Sequence, residues 1–229
     1  METRKGIFYG VGVGPGDPEL LTVKALRTLE RCPVIAAPQT KSGEMLALDI
    51  VRRAAALEGK TILPLFFTMA RDKSQQRAAH EAAADAIAAH LTAGRDVAML
   101  NLGDVSIYAT FGYIMDILRE RGYEAVMIPG VPSFCAAAAR LGLSLVSGET
   151  PLHIVPAGDP ASLELPGTKV LMKAGKRLPQ VREALTAQGL LEQAAMVEDC
   201  GLPTEKLYSS MGDVPEAAGY FATVIVKEQ

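Results

Sequence analysis

The 229-residue sequence contains no tryptophan, and aromatic residues make up only 5% of it. It also lacks a cationic excess, because 23 lysines and arginines are outnumbered by 26 aspartates and glutamates. A protein that binds nucleic acid by charge needs a basic surface, and one that stacks on bases needs aromatic rings. The composition therefore argues against a nucleic-acid partner. No uninterrupted apolar stretch is long enough to cross a bilayer, so we expect no membrane partner either.

Cysteine and histidine are equally scarce, with three of each. Cys32, Cys135 and Cys200 are widely scattered and form no C-x-x-C pair, which argues against a zinc ribbon or a dithiol redox site and favours a reducing cytoplasm. The first residues lack the apolar core of a signal peptide, so we expect a cytoplasmic protein. His80 and His90 lie ten residues apart on one predicted helix and do not share a face, so we predict packed or solvated side chains and no metal site.

Two common nucleotide-binding motifs are absent. The glycines near the N-terminus are two residues apart and never give G-x-G-x-x-G, and no G-x-x-x-x-G-K-[ST] occurs. The chain instead alternates short apolar runs with amphipathic segments, which predicts an α/β protein. This rhythm breaks near residues 143–150. We therefore predict an N-terminal domain over 1–142 with a mostly parallel sheet and helices on both faces, a linker over 143–150, and a smaller mixed α/β domain over 151–229.

Three glycine-bearing turns carry most of the functional information. They are Gly12–Pro18, Asn101–Ser106 and Pro129–Ser133, and each follows a predicted strand and precedes a predicted helix. Ligands of open parallel sheets bind beyond the carboxyl ends of the strands, where helix N-termini also point. Glycine in such turns lets a ligand approach the bare backbone. We therefore predict that the three turns are walls of one pocket.

The sequences of these turns resemble the tetrapyrrole (corrin/porphyrin) methyltransferases. The resemblance rests on Gly-Val-Gly-Pro-Gly-Asp-Pro-Glu-Leu-Leu-Thr from Gly12, on Gly-Asp-Val-Ser-Ile-Tyr from Gly103, and on Pro-Gly-Val-Pro-Ser from Pro129. Val105, where most members have proline, together with Thr-Phe-Gly-Tyr from Thr110, is similar to the precorrin-2 / cobalt-factor II C-20 methyltransferases. That resemblance implies methyl transfer from S-adenosylmethionine (SAM) to carbon 20 in corrin biosynthesis.

The same resemblance implies a homodimer, a cofactor cleft between the two domains, and S-adenosylhomocysteine as the second product. It carries no catalytic residue over to this chain. The cofactor-binding residues that it implies are Gly14, Pro15, Gly103, Asp104, Val105, Ser106, Tyr108, Ser133, Phe134, Lys173 and Cys200. Cys200 departs from the glycine that relatives often have there.

Several alternatives stay open at this stage. Asp104 either orients the methionyl end of SAM or assists proton loss, or it is a turn aspartate that bonds its own loop. Tyr108 and Tyr113 can offer flat aromatic surface to a macrocycle, although packing alone would explain Tyr113. Lys173, Lys176 and Arg177 can meet substrate carboxylates. The substrate is metal-free or carries cobalt, and another ring position, an rRNA or protein methyltransferase, and a SAM-binding module without turnover are further alternatives.

Overall fold

The structure is a computed structural model that describes residues 4–68, 72–157, 160–215, 219 and 221–227. The chain forms two compact units, Met1–Val131 and Pro132–Gln229. Each unit contains one five-stranded sheet. Among the described residues, no helix has the length and apolar character needed to cross a membrane.

The first unit alternates strands and helices along the chain. In order they are β1 (Phe8–Gly12), α1 (Val23–Arg31), β2 (Val34–Gln39), α2 (Leu46–Arg52), β3 (Thr61–Phe66), α3 (Lys73–Thr92), β4 (Val97–Asn101), α4 (Phe111–Glu120) and β5 (Ala125–Ile128). The strands lie in the order β3-β2-β4-β1-β5, and every neighbouring pair is parallel. All five carboxyl ends therefore share one edge of the sheet.

Apolar layers cover both faces of this sheet, because successive strand residues point to opposite sides. Phe8 of β1 packs in one layer with residues of α3 and α4. Its neighbour Tyr9 packs in the other layer with residues of α1 and α2. The predicted parallel sheet with helices on both faces is thus confirmed.

The second unit has a mixed sheet. Its elements are α5 (Ser133–Leu141), β6 (Leu152–Pro156), β7 (Thr168–Met172), α6 (Leu178–Ala187), β8 (Ala194–Glu198), β9 (Lys206–Tyr208) and β10 (Ala222–Val226). The order is β6-β7-β10-β8-β9, with β6 and β7 parallel and the other pairs antiparallel. The predicted mixed sheet is confirmed. Strand β9 was not predicted, because three largely exposed residues show no apolar alternation.

Helix α5 packs with the second sheet, against β8 and β10. Its buried residues are Phe134 and the three alanines Ala136, Ala137 and Ala138, and such small side chains let a helix approach a sheet closely. The boundary between the two units therefore falls between Val131 and Pro132, earlier in the chain than the linker predicted over 143–150. The sequence pattern continues the strand–helix alternation through α5, and only the packing of its buried face assigns it to the second unit.

Asp17 followed by Pro18 predicts the start of a helix, because aspartate caps helices and proline is favoured at the first helical position, but the local structure differs. The Asp17 carboxylate caps a single 3-10 turn, Pro18–Leu20, by accepting a 2.9 Å hydrogen bond from the Glu19 amide. The backbone then becomes extended at Leu21, and α1 begins only after Thr22, whose hydroxyl accepts from the Ala25 amide. Two caps in succession therefore replace one continuous helix with a turn and a helix.

Candidate functional site

The first two glycine turns are joined at the carboxyl edge of the first sheet. The Gly103 amide donates to the Gly14 carbonyl at 2.7 Å, and the Gly14 amide donates to the Gly103 carbonyl at 3.3 Å. Gly14 and Gly103 have φ angles of +75° and +74°, in the left-handed region that side chains disfavour. Turns that follow β1 and β4 are thus locked together by backbone alone.

The third turn meets the other two through two further glycines. A Cβ atom placed on Gly12 would lie 2.6 Å from the Gly130 amide nitrogen and 2.7 Å from the Gly103 carbonyl oxygen. A Cβ on Gly130 would overlap the same carbonyl. These two glycines are required because protein backbone, and not a ligand, occupies the space beside them. The structure therefore brings the three turns together.

Asp104 ties the second turn to the third. One carboxylate oxygen accepts from the Ser106 amide at 2.8 Å and from the Ser106 hydroxyl, and the other accepts from the Gly130 amide at 2.8 Å. Partial burial alone would raise the pKa of Asp104, but the hydrogen bonds from Ser106, Gly130 and Val105 outweigh it and lower that pKa. An ionised carboxylate that is 9% exposed and bonded on both oxygens fits the turn aspartate better than a proton acceptor.

The residues after Asp104 shape a largely uncharged surface. Val105 is 3% exposed, whereas Ser106 is exposed and Tyr108 is 47% exposed. Tyr108 has a φ of +49°, an uncommon conformation for a large side chain. The helical spacing of Ile107, Phe111 and Ile114 predicts a helix from about Ile107, whereas α4 begins only at Phe111. Tyr108, with its left-handed backbone, therefore lies in the turn that precedes α4. Pro15, on the first turn, is buried.

Two turns of the second unit carry the predicted site residues Lys173 and Cys200. Lys173 follows β7 with a φ of +59°, and Asp199, just before Cys200, follows β8 with a φ of +52°. Strand β10 lies between β7 and β8, and its start holds both turns. The Ala174 amide donates to the Ala222 carbonyl at 3.1 Å, and the Asp199 amide donates to the Phe221 carbonyl at 3.2 Å. Lys173 and Cys200 therefore lie at one edge of the second sheet.

The side chains of these two residues have different surroundings. Cys200 is 6% exposed. Lys173 is exposed overall, yet desolvation of its ammonium by neighbouring atoms lowers its pKa. Ser133 and Phe134 lie in the first turn of α5, with Ser133 half-buried and Phe134 5% exposed.

An ion pair between Arg140 and Glu205, which no sequence pattern predicts, holds the Cys200 turn against α5. The Glu205 carboxylate accepts from Arg140 Nε at 2.8 Å and, through its other oxygen, from the Gly201 amide at 2.8 Å. Partial burial would raise the pKa of Glu205, but these bonds and a bond from the Cys200 side chain lower it. Helix α5 begins with Ser133 and Phe134. Its last turn, which contains Arg140, is thus linked to the turn of Cys200.

The described residues include no group of three His, Cys, Asp or Glu side chains arranged to hold a metal ion. His80 instead stacks on Tyr113 at a centroid distance of 4.8 Å. Two surface grooves, of about 520 Å³ beside the end of α2 and about 480 Å³ beside α6, contain none of the predicted site residues.

Comparison with known proteins gives matches along most of the chain. The family model described as Tetrapyrrole (Corrin/Porphyrin) Methylases matches residues 8–215. A precorrin-2 C(20)-methyltransferase from Sinorhizobium is 34% identical over 244 residues, covering 96% of this chain and 95% of the relative. The cobalt-precorrin-2 C(20)-methyltransferase of Salmonella typhimurium is 31% identical, covering 98% of this chain and 97% of the relative.

A solved structure shows the same fold. It is the uroporphyrin-III C-methyltransferase of Thermus thermophilus in complex with S-adenosylhomocysteine, with a TM-score of 0.72 and 24% identity, covering 96% of this chain and 97% of that one. The matches define an enzyme that transfers methyl groups from SAM. The chain belongs to the tetrapyrrole (corrin/porphyrin) methylase family, which confirms the resemblance found in its turns.

The turn residues of the first unit fit a cofactor that is held by contacts with the protein backbone and with a flat aromatic ring. At these turns Ser106 and the ring of Tyr108 are exposed, whereas Val105 packs into the hydrophobic core of the first unit. Asp104 is the one charged side chain between Gly103 and Tyr108, and its carboxylate already accepts hydrogen bonds from Ser106 and Gly130. Such a surface suits the adenosyl and methionyl parts of SAM, which need positioning more than chemical activation.

Proposed function

We propose that this protein transfers one methyl group from SAM to carbon 20, the meso carbon between rings A and D, of precorrin-2 or its cobalt complex in cobalamin biosynthesis. Both near-full-length relatives named above carry that activity in their names, one for precorrin-2 and one for cobalt-precorrin-2. The Gly103–Tyr108 turn, with Val105 in place of proline, supports the same subgroup.

The main structural support for the proposal is the junction of the three glycine turns. Gly12, Gly103 and Gly130 touch through backbone, and the Asp104 carboxylate bonds the third turn to the second. This rigid junction lies at the carboxyl edge of a parallel sheet, where such sheets bind ligands. We propose that the residues of this junction and of the turn that follows it contact SAM: Gly14, Pro15, Gly103, Asp104, Val105, Ser106 and Tyr108.

We propose that the second unit contributes Ser133, Phe134, Lys173 and Cys200 to cofactor binding. The support is the resemblance to the family, together with the fact that the Lys173 and Cys200 turns share the start of β10. The left-handed backbone at Lys173 and Asp199 re-aims the peptide groups of both turns. Strained conformations of this kind concentrate at ligand sites.

Bound SAM supplies an electrophilic methyl group, so the chain needs neither a nucleophile nor a metal of its own. Its task is to hold the methyl donor and the acceptor carbon in line and to keep water away, and positioning of this kind can lower a barrier by about 7–11 kcal/mol. The turn junction provides a rigid backbone support, and Val105 anchors the second turn in the hydrophobic core. Asp104 keeps the Gly103 and Gly130 turns in register.

The test is turnover of isotope-labelled SAM with precorrin-2 and with its cobalt complex, followed by mass spectrometry and NMR of the product. We expect a single label at carbon 20. A label at a pyrrole β-carbon or at another meso carbon would agree with the family but would overturn the proposed methylation at carbon 20. Binding of SAM without any methylated product would instead favour a sensing module.

We also propose a cytoplasmic homodimer. The support is the resemblance to the family, the frequency of closed two-fold symmetry among soluble oligomers, and three cysteines of which none forms a disulfide. Light scattering at micromolar concentration is expected to return twice the 24.3 kDa chain mass. A monomer mass would contradict the dimer.

A further inference from the structure

Three aromatic side chains form a continuous strip on the surface of the first unit. His80 and Tyr113 stack with ring centroids 4.8 Å apart and planes 9° apart, and the Phe67 ring lies 6.0 Å from His80. We call Phe67, His80 and Tyr113 the aromatic strip. Phe67 packs against the hydrophobic core, whereas Tyr113 is 62% exposed. The strip is thus anchored at one end and open at the other.

The aromatic strip lies at the edge of the sheet that carries the glycine turns. Phe67 directly follows the carboxyl end of β3, His80 is in the second turn of α3, and Tyr113 is in the first turn of α4. Because every strand of this sheet is parallel, helices that follow β3 and β4 begin at the same edge. Tyr113 also follows the Gly103–Tyr108 turn by only a few residues.

Cationic side chains accompany the strip along α3. Lys73 and Arg77 precede His80 by seven and three residues, so they share its face of the helix. The Arg77 side chain is 81% exposed and lies 4.0 Å from Glu81, whose carboxylate is bonded by Arg121 at 2.6 Å. The guanidinium of Arg77 therefore stays accessible to an anion from solution.

The imidazole of His80 suits an apolar stack. Partial burial lowers its pKa below the usual value, so the ring is neutral at neutral pH. A neutral ring beneath Tyr113 extends the flat apolar surface, while the positive charge of this face comes from Lys73 and Arg77. Flat apolar surface flanked by cations is complementary to a large unsaturated ring that carries carboxylates at its rim.

We propose that the aromatic strip, together with Lys73 and Arg77, binds the tetrapyrrole substrate, with the macrocycle against Tyr113 and its carboxylates toward the two cations. This inference rests on the proposed function. A tetrapyrrole is favoured over a second copy of the chain, because the face combines ring stacking with cations and lies at the edge of the proposed SAM site. Nothing in the reaction passes through these residues, which determine where the macrocycle lies.

The first experiment measures steady-state kinetics of Tyr113→Ala with both substrates varied. Loss of one aromatic contact is expected to raise KM for the tetrapyrrole about fivefold and to leave KM for SAM unchanged. The matched control is Phe66→Ala, because Phe66 is 61% exposed and its strand alternation directs it away from Phe67. Equal tetrapyrrole KM values for Tyr113→Ala and the wild type would overturn the inference.

The second experiment tests the cations with Lys73→Gln/Arg77→Gln. Its tetrapyrrole KM should rise about threefold and lose part of its dependence on salt. The control Arg52→Gln/Arg53→Gln removes two charges at the end of α2, near the opposite edge of the sheet, and should not change that KM. A salt dependence identical to the wild type would remove the cations from the proposal.

A third measurement separates this inference from the proposed function. Uroporphyrin, an octacarboxylic porphyrin, is titrated into wild type, Tyr113→Ala and Phe66→Ala while porphyrin fluorescence is followed. Weaker binding to Tyr113→Ala alone supports the strip even if no methyl transfer occurs, whereas equal binding by all three overturns it even if the enzyme is active. A loss of dimer mass in Tyr113→Ala would assign the strip to an interface between copies and also overturn the proposal.

Discussion

The two units hold their candidate ligand turns by opposite means. In the first unit, glycine backbone packs on glycine backbone, and a carboxylate that accepts from backbone amides completes the junction. In the second unit, non-glycine residues adopt left-handed conformations at Lys173 and Asp199, and the Arg140–Glu205 ion pair holds the neighbouring turn. The first arrangement tolerates almost no substitution of its glycines, and the second depends on side chains that are distant in sequence.

This difference explains why the sequence motifs that carry the family resemblance lie almost entirely in the first unit. A turn that needs bare backbone must contain glycine at fixed positions, so its requirement is written locally in the sequence. A turn that is held by a distant ion pair leaves no local pattern. Arg140 and Glu205 are 65 residues apart, and nothing near either residue indicates the other.

The largest effect is expected where the first arrangement is broken at Gly103. In Gly103→Val a β-branched residue must adopt a φ of +74° beside Gly14 and Gly130, and SAM affinity should fall about 100-fold, measured by calorimetry. Gly59→Val is the control, because Gly59 has a φ of +76° with no atom within 4 Å of a Cβ. That variant should show the same backbone strain and unchanged SAM affinity. A folded Gly103→Val protein with wild-type affinity would exclude the turn from the SAM site.

An intermediate effect is expected where the second arrangement is broken. Arg140→Ala leaves the partly buried Glu205 without its cation, so unfolding free energy should fall by about 1 kcal/mol and SAM affinity by about threefold. The control Arg52→Ala removes an ion pair with Asp49 in which both side chains are more than half exposed, and it should cost less than about 0.5 kcal/mol. Unchanged SAM affinity in Arg140→Ala, with stability lowered, would show that the ion pair is purely structural.

The smallest effect concerns pH, and it compares the two units directly. Asp104 and Glu205 both have pKa values lowered by folding, so the unfolded chain binds more protons than the folded one in the acidic range. Their contribution is present above the ordinary carboxyl pKa and is lost as the pH falls through and below about 4. Urea unfolding of Asp104→Asn and Glu205→Gln should each give a shallower loss of stability with acid than the wild type. A slope equal to the wild type in either variant would contradict the lowered pKa of that residue.

The sequence predicted most elements of both units but not several of their boundaries. Apolar runs located the strands well, because a buried strand must be apolar wherever it lies. The sequence places the start of α1 at Asp17, whereas the helix begins after Thr22. Both residues are good N-caps, and the structure uses Asp17 for the 3-10 turn and Thr22 for α1. The packing of α5 was not predictable, because an alanine-rich face fits either sheet.

For the candidate site, the sequence identified the three turns and favoured no catalytic residue. It left three interpretations of Asp104, and the hydrogen bonds from Ser106 and Gly130 favour the turn aspartate. It also left Tyr113 between packing and substrate contact. The Tyr113 ring stacks on His80 and is still largely exposed, so packing and substrate contact are compatible roles for this side chain.

The sequence by itself determined the fold class, the family and the three turns of the first unit, because periodic burial and obligatory glycines are requirements of single positions and their neighbours. Only the tertiary structure decided which unit holds α5, how Glu205 fixes the Cys200 turn, and that Phe67, His80 and Tyr113 form one surface. Each of these depends on residues far apart in the chain. Their contacts arise from the packing of whole elements, which no local pattern encodes.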